Sequence, residues 1–194
     1  AKKEIGKVLN VIWNLKNLTG RSKSNLEIED KWIISKLNSM TKKFQENIDK
    51  FETHNAMREI SSFILNDLSR TYIQMTRDKD KSSIITQCLV QILKLLAPIS
   101  PFITDSIWQD LRNKNIVKEE SVHLTNWPAY NEEDINQSLE QEFEAIAKVL
   151  EIGLAERDKA KVGLRWPLGK ASISSDKKIT KESLDIIAKQ LNVK

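Results

Sequence analysis

The chain has 194 residues, 31 of them basic and 27 acidic, for a net charge of +4, with five glycines, four prolines and one cysteine. The lone Cys88 sits in the apolar run Leu89, Val90, Ile92 and Leu93, which excludes an internal disulfide framework, argues against a cysteine metal site, and fits a reducing, cytoplasmic setting. No apolar run is long enough to span a bilayer and no basic–apolar–small leader opens the chain, while scarce Gly and Pro favour long helices over many-turned sheets.

Residues 3–18 place Ile5, Val8, Leu9, Ile12, Leu15 and Leu18 at helical spacing, and Gly20 with the polar stretch to Asn25 ends that helix. Ser24 and Glu27 resemble a capping box, but the next periodicity starts later, so Asp30 is the better N-cap of a second helix over 31–51. That helix carries Trp32, Ile33, Ile34, Leu37, Met40, Phe44, Ile48 and Phe51. A third, capped by Thr53 or Asn55, runs through Met57, Ile60, Ile64, Leu65, Leu68 and Tyr72 to about Asp78, and the charged run to Lys81 is a turn. Residues 82–97 form a fourth helix around Ile84, Ile85, Cys88, Leu89, Ile92, Leu93 and Leu96. Pro98 and Pro101 break it, and Ser100 caps a short helix with Pro101 in its first position.

Residues 113–134 read as a surface loop lying across the bundle, anchored by Val122, Leu124 and Trp127. A long helix follows from about Ile135 to Lys161, with Phe143, Ile146, Val149, Leu150 and Leu154 on one face. Then the texture changes. Pro167 and Gly169 punctuate, 170–174 reads as a short strand, and Thr180 caps a last helix with Leu184, Ile187 and Leu191. One strand and one helix do not close a core. The expected organisation is a mainly α chain: an antiparallel helical bundle over 1–162 and the start of a small, truncated α/β module over 163–194. The initial Ala in place of Met fits an internal piece of a longer protein.

Catalytic chemistry finds little support. His54 and His123 lie far apart without metal-ligand neighbours, no Gly-rich phosphate loop is present, and Glu119, Glu120, Glu132, Glu133 and Asp134 read as solvating loop charge. Binding chemistry finds more. A nucleic-acid surface needs cations for phosphates, flat side chains for unpaired bases and amides for base edges. The first helix supplies all three: Asn10, Asn14 and Asn17 recur at i, i+4 and i+7 beside Trp13, Lys7, Lys16, Arg21 and Lys23. Three amides in line are unusual for a plain solvent face, because Asn is a poor helix former. Trp13 reads first as core, with base stacking as the alternative. A second cluster joins Arg157, Lys159, Lys161, Arg165 and Trp166, where Trp166 reads either as a plug between domains or as a stacking side chain.

Charge is unevenly distributed. Residues 1–25 hold six cations against Glu4, 157–178 hold seven against two acids, and 118–144 hold Lys118 against eight acids. Basic faces concentrate phosphate-bearing ligands, although a merely solvated exterior explains uneven charge equally well.

Several phrases resemble class I aminoacyl-tRNA synthetases of the branched-chain and methionine group. Leu95-Leu96-Ala97-Pro98-Ile99-Ser100-Pro101-Phe102-Ile103-Thr104-Asp105-Ser106-Ile107-Trp108 looks like that group's Leu-Ala-Pro…Pro-Phe segment. Ser121 to Leu124 with Trp127-Pro128, Asp30 to Ser39, and Ser69 to Tyr72 followed by Thr76-Arg77-Asp78 are similar to other segments of the group in the same order. Arg165-Trp166-Pro167-Leu168 resembles the isoleucine enzymes, in their archaeal and eukaryotic-like form.

The resemblance implies the tRNA-anticodon-binding bundle of an isoleucyl-tRNA synthetase, whose reaction activates isoleucine with ATP and transfers it to tRNA. It implies no catalytic residues and no cofactor in this chain, with ATP, Mg and zinc sites in other parts of the full enzyme. The implied partners are isoleucine tRNA and the catalytic core of the same polypeptide, in a monomer without membrane contact. By resemblance the first-helix Trp13-Asn14 pair contributes anticodon contacts. The group's usual basic residue and aromatic are replaced here by Asn17 and Leu18. The expected tRNA-binding set is Asn10, Trp13, Asn14, Lys16, Asn17, Arg21, Lys161, Arg165 and Trp166, with Asn14 and Asn17 on base edges and Lys16, Arg21, Lys161 and Arg165 on phosphates. Pro98, Pro101, Trp108 and Trp127 are assigned to structure. The alternatives are a valyl-, leucyl- or methionyl-tRNA synthetase bundle, or a helical protein-interaction scaffold.

Overall fold

A computed structural model describes residues 2–22, 25–174 and 179–194, with side chains from residue 6 onward. The chain divides into two compact units, 1–135 and 136–194. The long helix opens the second unit. The reason is local: the long helix packs on the last helix, so it shares a unit with the residues that follow it.

The first unit is a helical bundle of α1 (Lys2–Leu15), α2 (Ile28–Asp49), α3 (Thr53–Ser62), α4 (Ile73–Thr76), α5 (Ser82–Leu96) and α6 (Pro101–Asn113). α2 packs on α3 and α5, α1 on α5, and α5 on α6. Ile33, Phe44, Ile60, Phe63, Leu89, Ile92, Ile107 and Leu111 are fully buried at their centre. Each such side chain contributes on the order of 1.5–3 kcal/mol by leaving water. Cys88 is among them, and burial pushes its thiol up to about 12.

Phe63–Tyr72, between α3 and α4, is π-helical, where one continuous α-helix was expected. Buried Ile60, Ile64, Leu68, Tyr72 and Thr76 recur every fourth residue, so they drift around a 3.6-residue helix. Wider turns bring them back onto one face. That face carries Tyr72 to a buried charge cluster. Asp30 accepts from the Tyr72 hydroxyl at 2.6 Å, from Lys81 Nζ at 2.6 Å and from the Glu27 amide at 2.8 Å. Glu27, not Asp30, is therefore the N-cap of α2, and Asp30 is the reciprocal third residue of its capping box. Ser24, the other cap considered, lies outside the described residues. Lys79 bridges Glu27 at 2.6 Å and Glu29 at 2.5 Å. Lys79 and Lys81 hold the Glu27 carboxyl down to about 2. Burial opposes the Lys81 charge, yet Asp30 and Glu27 outweigh it and raise that ammonium above its ordinary range.

Glu52, rather than Thr53 or Asn55, is the N-cap of α3. Ser100 and Pro101 open α6 as expected. The loop after α6 lies across α2, α5 and α6 through two short 3-10 turns, Val122–Leu124 and Glu132–Asp134. Asp105 accepts from Ser121 Oγ at 2.5 Å and the Val122 amide at 3.2 Å, and Trp108 Nε1 donates to the Glu119 carbonyl at 3.0 Å. Farther on, Asn38 Oδ1 accepts from the Asn131 amide and Gln91 donates to the Ala129 carbonyl. Val122 is buried and Trp127 lies 6.4 Å from the Phe44 ring, but Leu124 is exposed and anchors nothing.

The second unit is α7 (Gln137–Lys159), an irregular stretch, and α8 (Lys181–Leu191). Thr180 caps α8 by accepting from the Ser183 amide, and Glu142 on α7 accepts from the Thr180 amide at 2.7 Å and Ser183 Oγ at 2.8 Å. Closer to the C-terminus of α7, Gly153 faces Leu191 so tightly that a Cβ there would sit 2.6 Å from a Leu191 methyl. The expected strand over 170–174 does not form: those residues are exposed, and among the described residues no strand is present. An isolated parallel bridge joins Leu168 to Val193, just past the left-handed Asn192 that ends α8.

Candidate nucleic-acid interface

Two basic clusters, one in each unit, carry the side chains singled out from the sequence. In the first unit, α1 turns Val8, Ile12 and Leu15 into the bundle at 2–4 % exposure. The 3.6-residue period then puts Asn10, Trp13 and Asn14 outside. All three are exposed, Trp13 at 42 %, so the core reading of that tryptophan is wrong. The difference is one of register: Trp13 follows Val8, Leu9 and Ile12 in sequence, but stands about a quarter-turn beyond the buried face. α1 ends at Leu15, so Asn17 sits in the following turn, its amide bonded to the Asn14 carbonyl at 3.1 Å, and stays exposed.

Lys16 is not a free cation. Its ammonium lies 3.3 Å above the centre of the Trp13 ring and pairs with Asp110 of α6 at 2.5 Å, leaving the side chain 14 % exposed. The lysine thus covers one face of the ring and fixes its plane. Arg21 is exposed and donates to the Asn115 carbonyl just after α6. Its segment is pinned to α5: the Gly20 amide donates to Thr86 Oγ1 and the Thr86 hydroxyl to the Gly20 carbonyl, each at 3.0 Å. A Cβ at Gly20 would meet Ser82 Oγ at 2.7 Å, which explains a glycine at this approach. Lys114, which the sequence reading passed over, donates to the Lys16 carbonyl at 2.5 Å. Helical periodicity carries no signal for it, because it follows the end of α6.

In the second unit the structure separates the cluster by role. Arg157 is buried at 6 % exposure and donates to the carbonyls of Leu191 at 3.1 Å, Gly163 at 2.7 Å and Trp166 at 2.6 Å. It is the fastener of the turn, not a surface cation. The turn needs one: Lys161 is left-handed at φ 56°, and α7 has ended. Held this way, Lys161, Arg165 and Trp166 are all exposed, Trp166 at 71 %. Lys159 is exposed and pairs with Glu156 at 2.7 Å.

Chemically, each cluster offers a flat aromatic beside guanidinium or ammonium groups, and the first adds a row of amides. That set suits an unpaired nucleic-acid strand, whose bases stack and whose phosphates need cations. Among the described residues no group of His, Cys, Asp and Glu is arranged to hold a metal ion, and no helix is long and apolar enough to cross a membrane. His54 and His123 are exposed and lie on separate segments.

Residues 30–173 match the family described as the anticodon-binding domain of tRNA ligase. The chain is similar to isoleucine–tRNA ligases of archaea. It is 32 % identical to that of Methanothrix thermoacetophila and 31 % to that of Pyrococcus horikoshii, each over 98 % of its length. Over 89 % of its length it is 34 % identical to that of Methanocella arvoryzae. It spans about a fifth of the length of these relatives, 17–21 %.

Proposed function

Because the chain belongs to the anticodon-binding domain family of tRNA ligases, we propose that it is the anticodon-gripping part of an isoleucine–tRNA ligase and reads the anticodon loop of isoleucine tRNA. The observation that carries this reading is the outward face of α1, where Trp13 stands exposed between Asn10, Asn14 and Asn17. Unstacked loop bases present their edges to amides and their faces to aromatics. Asn14 and Asn17 take base edges, the open face of Trp13 stacks a base, and Arg21 meets phosphate. Lys16 serves mainly to set the Trp13 ring. In the second unit, Lys161 and Arg165 meet phosphates and Trp166 offers a second stacking surface.

The proposed activity belongs to the whole ligase: isoleucine is joined to its tRNA at the expense of ATP, in the cytoplasm and by a monomer. ATP, Mg and zinc are assigned to parts of that protein outside this chain. This chain contributes position. Correct anticodon contacts favour the pose that delivers the acceptor end to a distant catalytic core, so remote binding energy supports the transfer step.

The test is binding of the chain to isoleucine tRNA, to the same tRNA with its anticodon replaced, and to valine tRNA, at two salt concentrations. The proposal expects preference for the native anticodon and an Asn14→Ala loss of about five- to tenfold, the scale of one hydrogen bond. Equal, salt-sensitive binding to all three would leave a contact with phosphates alone and defeat the amide assignments. No binding at low salt would favour a protein-binding scaffold, for which the exposed Phe51, Phe102 and Leu124 offer apolar ground.

A further inference from the structure

The face of α1 does not stand alone. Three cross-links tie the segment after α1 to the last turn of α6 and the residues that follow it: Lys16 Nζ to Asp110 at 2.5 Å, Lys114 Nζ to the Lys16 carbonyl at 2.5 Å, and the Arg21 guanidinium to the Asn115 carbonyl. Each joins residues more than ninety positions apart in sequence. Together they set Lys114 against Lys16 and Asn115 against Arg21, and Asn14, Asn17, Arg21, Asn113, Lys114 and Asn115 are all exposed.

We infer that the end of α6 and the turn that follows it, Asn113-Lys114-Asn115, form a second wall of the single-stranded RNA site, with Lys114 meeting a phosphate and Asn115 a base edge. The inference rests on the proposed reading of α1 and extends it to a segment that neither helical periodicity nor the family phrases single out. The chemistry repeats that of the first wall. A lysine ammonium has three donors, so the bond to the Lys16 carbonyl leaves Lys114 capacity for a phosphate oxygen. Asn115 accepts Arg21 through its backbone carbonyl, which leaves its side-chain amide for a ligand. Asp110 is the one carboxylate in the cross-links, and Lys16 neutralises it, so the shared surface remains cationic through Arg21 and Lys114.

Asn115 also allows a clean separation of structure from binding. Its φ is 56°, left-handed backbone that Gly adopts at no steric cost. Asn115→Gly therefore deletes the amide while keeping, or easing, the turn. A structural role predicts unchanged or tighter folding and unchanged RNA binding. The second-wall role predicts unchanged folding and binding weakened about fivefold. Lys114→Met keeps the alkyl stem and removes the charge. It should lower the slope of log affinity against log salt by about 0.7, the single-strand value for one phosphate contact.

The experiment measures both variants, with Asn14→Ala, in the full chain against a synthetic RNA hairpin bearing an isoleucine anticodon in its loop. Circular dichroism confirms the fold of each. Weaker binding in all three, with the reduced slope in Lys114→Met, is the expected result. Weaker binding in Asn14→Ala alone overturns the second wall and leaves the anticodon reading standing. Parent-like binding in all three overturns both.

Discussion

Replacing Arg157 by Lys keeps the charge and most of the length but removes the planar fork. In the structure one guanidinium serves three carbonyls, those of Gly163, Trp166 and Leu191, at 2.6–3.1 Å. An ammonium at the end of a lysine stem does not span three acceptors set around a fork. With one bond kept, two charge-assisted bonds are lost, each worth about 1.5–3 kcal/mol. Gly163 and Trp166 are exposed, so water replaces part of that loss. The expected cost is about 2–3 kcal/mol, felt in the second unit. Urea unfolding followed by circular dichroism measures it, and amide hydrogen exchange locates it. The amides of Val162, Trp166 and Lys194, bonded to Arg157, Gly163 and Leu168 carbonyls respectively, should lose protection while those of α2 and α5 keep theirs. Stability within about 0.5 kcal/mol of the parent, with the Trp166 amide still protected, would refute the fastener role.

Lys81→Met should cost the first unit about 3–5 kcal/mol in urea, because it strips the buried Asp30 carboxylate of its cation; a cost below about 1 kcal/mol would contradict that geometry. Glu27 has a folded pKa of about 2 against an ordinary 4.5, so its contribution is fully present above 4.5 and is lost as pH falls toward 2. Glu27→Gln should therefore lose less stability than the parent between about pH 6 and about pH 3, read from urea midpoints. Gly153→Ala sets a net loss of about 1 kcal/mol, as crowding against Leu191 outweighs the helix-propensity gain; a raised melting temperature would show that Leu191 simply swings aside.

Much of the fold was legible because helical periodicity survives in the sequence. Val8, Ile12 and Leu15, or Cys88, Leu89, Ile92 and Leu93, announce their buried faces, and Pro101 announces the start of α6. Three features were not legible for identifiable reasons. The four-residue repeat from Ile60 to Thr76 looks like ordinary amphipathicity unless its drift is followed through several turns. Asp30 resembles an N-cap because the capping box it completes begins at Glu27, where no Ser, Thr or Asn marks the site. Residues 170–174 alternate polar and apolar side chains as a strand does, yet a strand needs a paired neighbour, and among the described residues only Leu168 and Val193 pair. At the candidate site the residue types were legible but their roles were not. Composition made Arg157 and Lys16 surface cations. Their partners in the folded chain made one a fastener and the other a ring clamp.

In the proposed function the outward face of α1 is where RNA lands. Hydrogen exchange of the chain with and without isoleucine tRNA tests it most directly. Slowed exchange from Asn10 through Arg21, extending to residues 113–115, is expected, with α2 and α3 unchanged. Protection confined to the apolar ground around Phe102 and Leu124, with residues 10–21 unaffected, would contradict it.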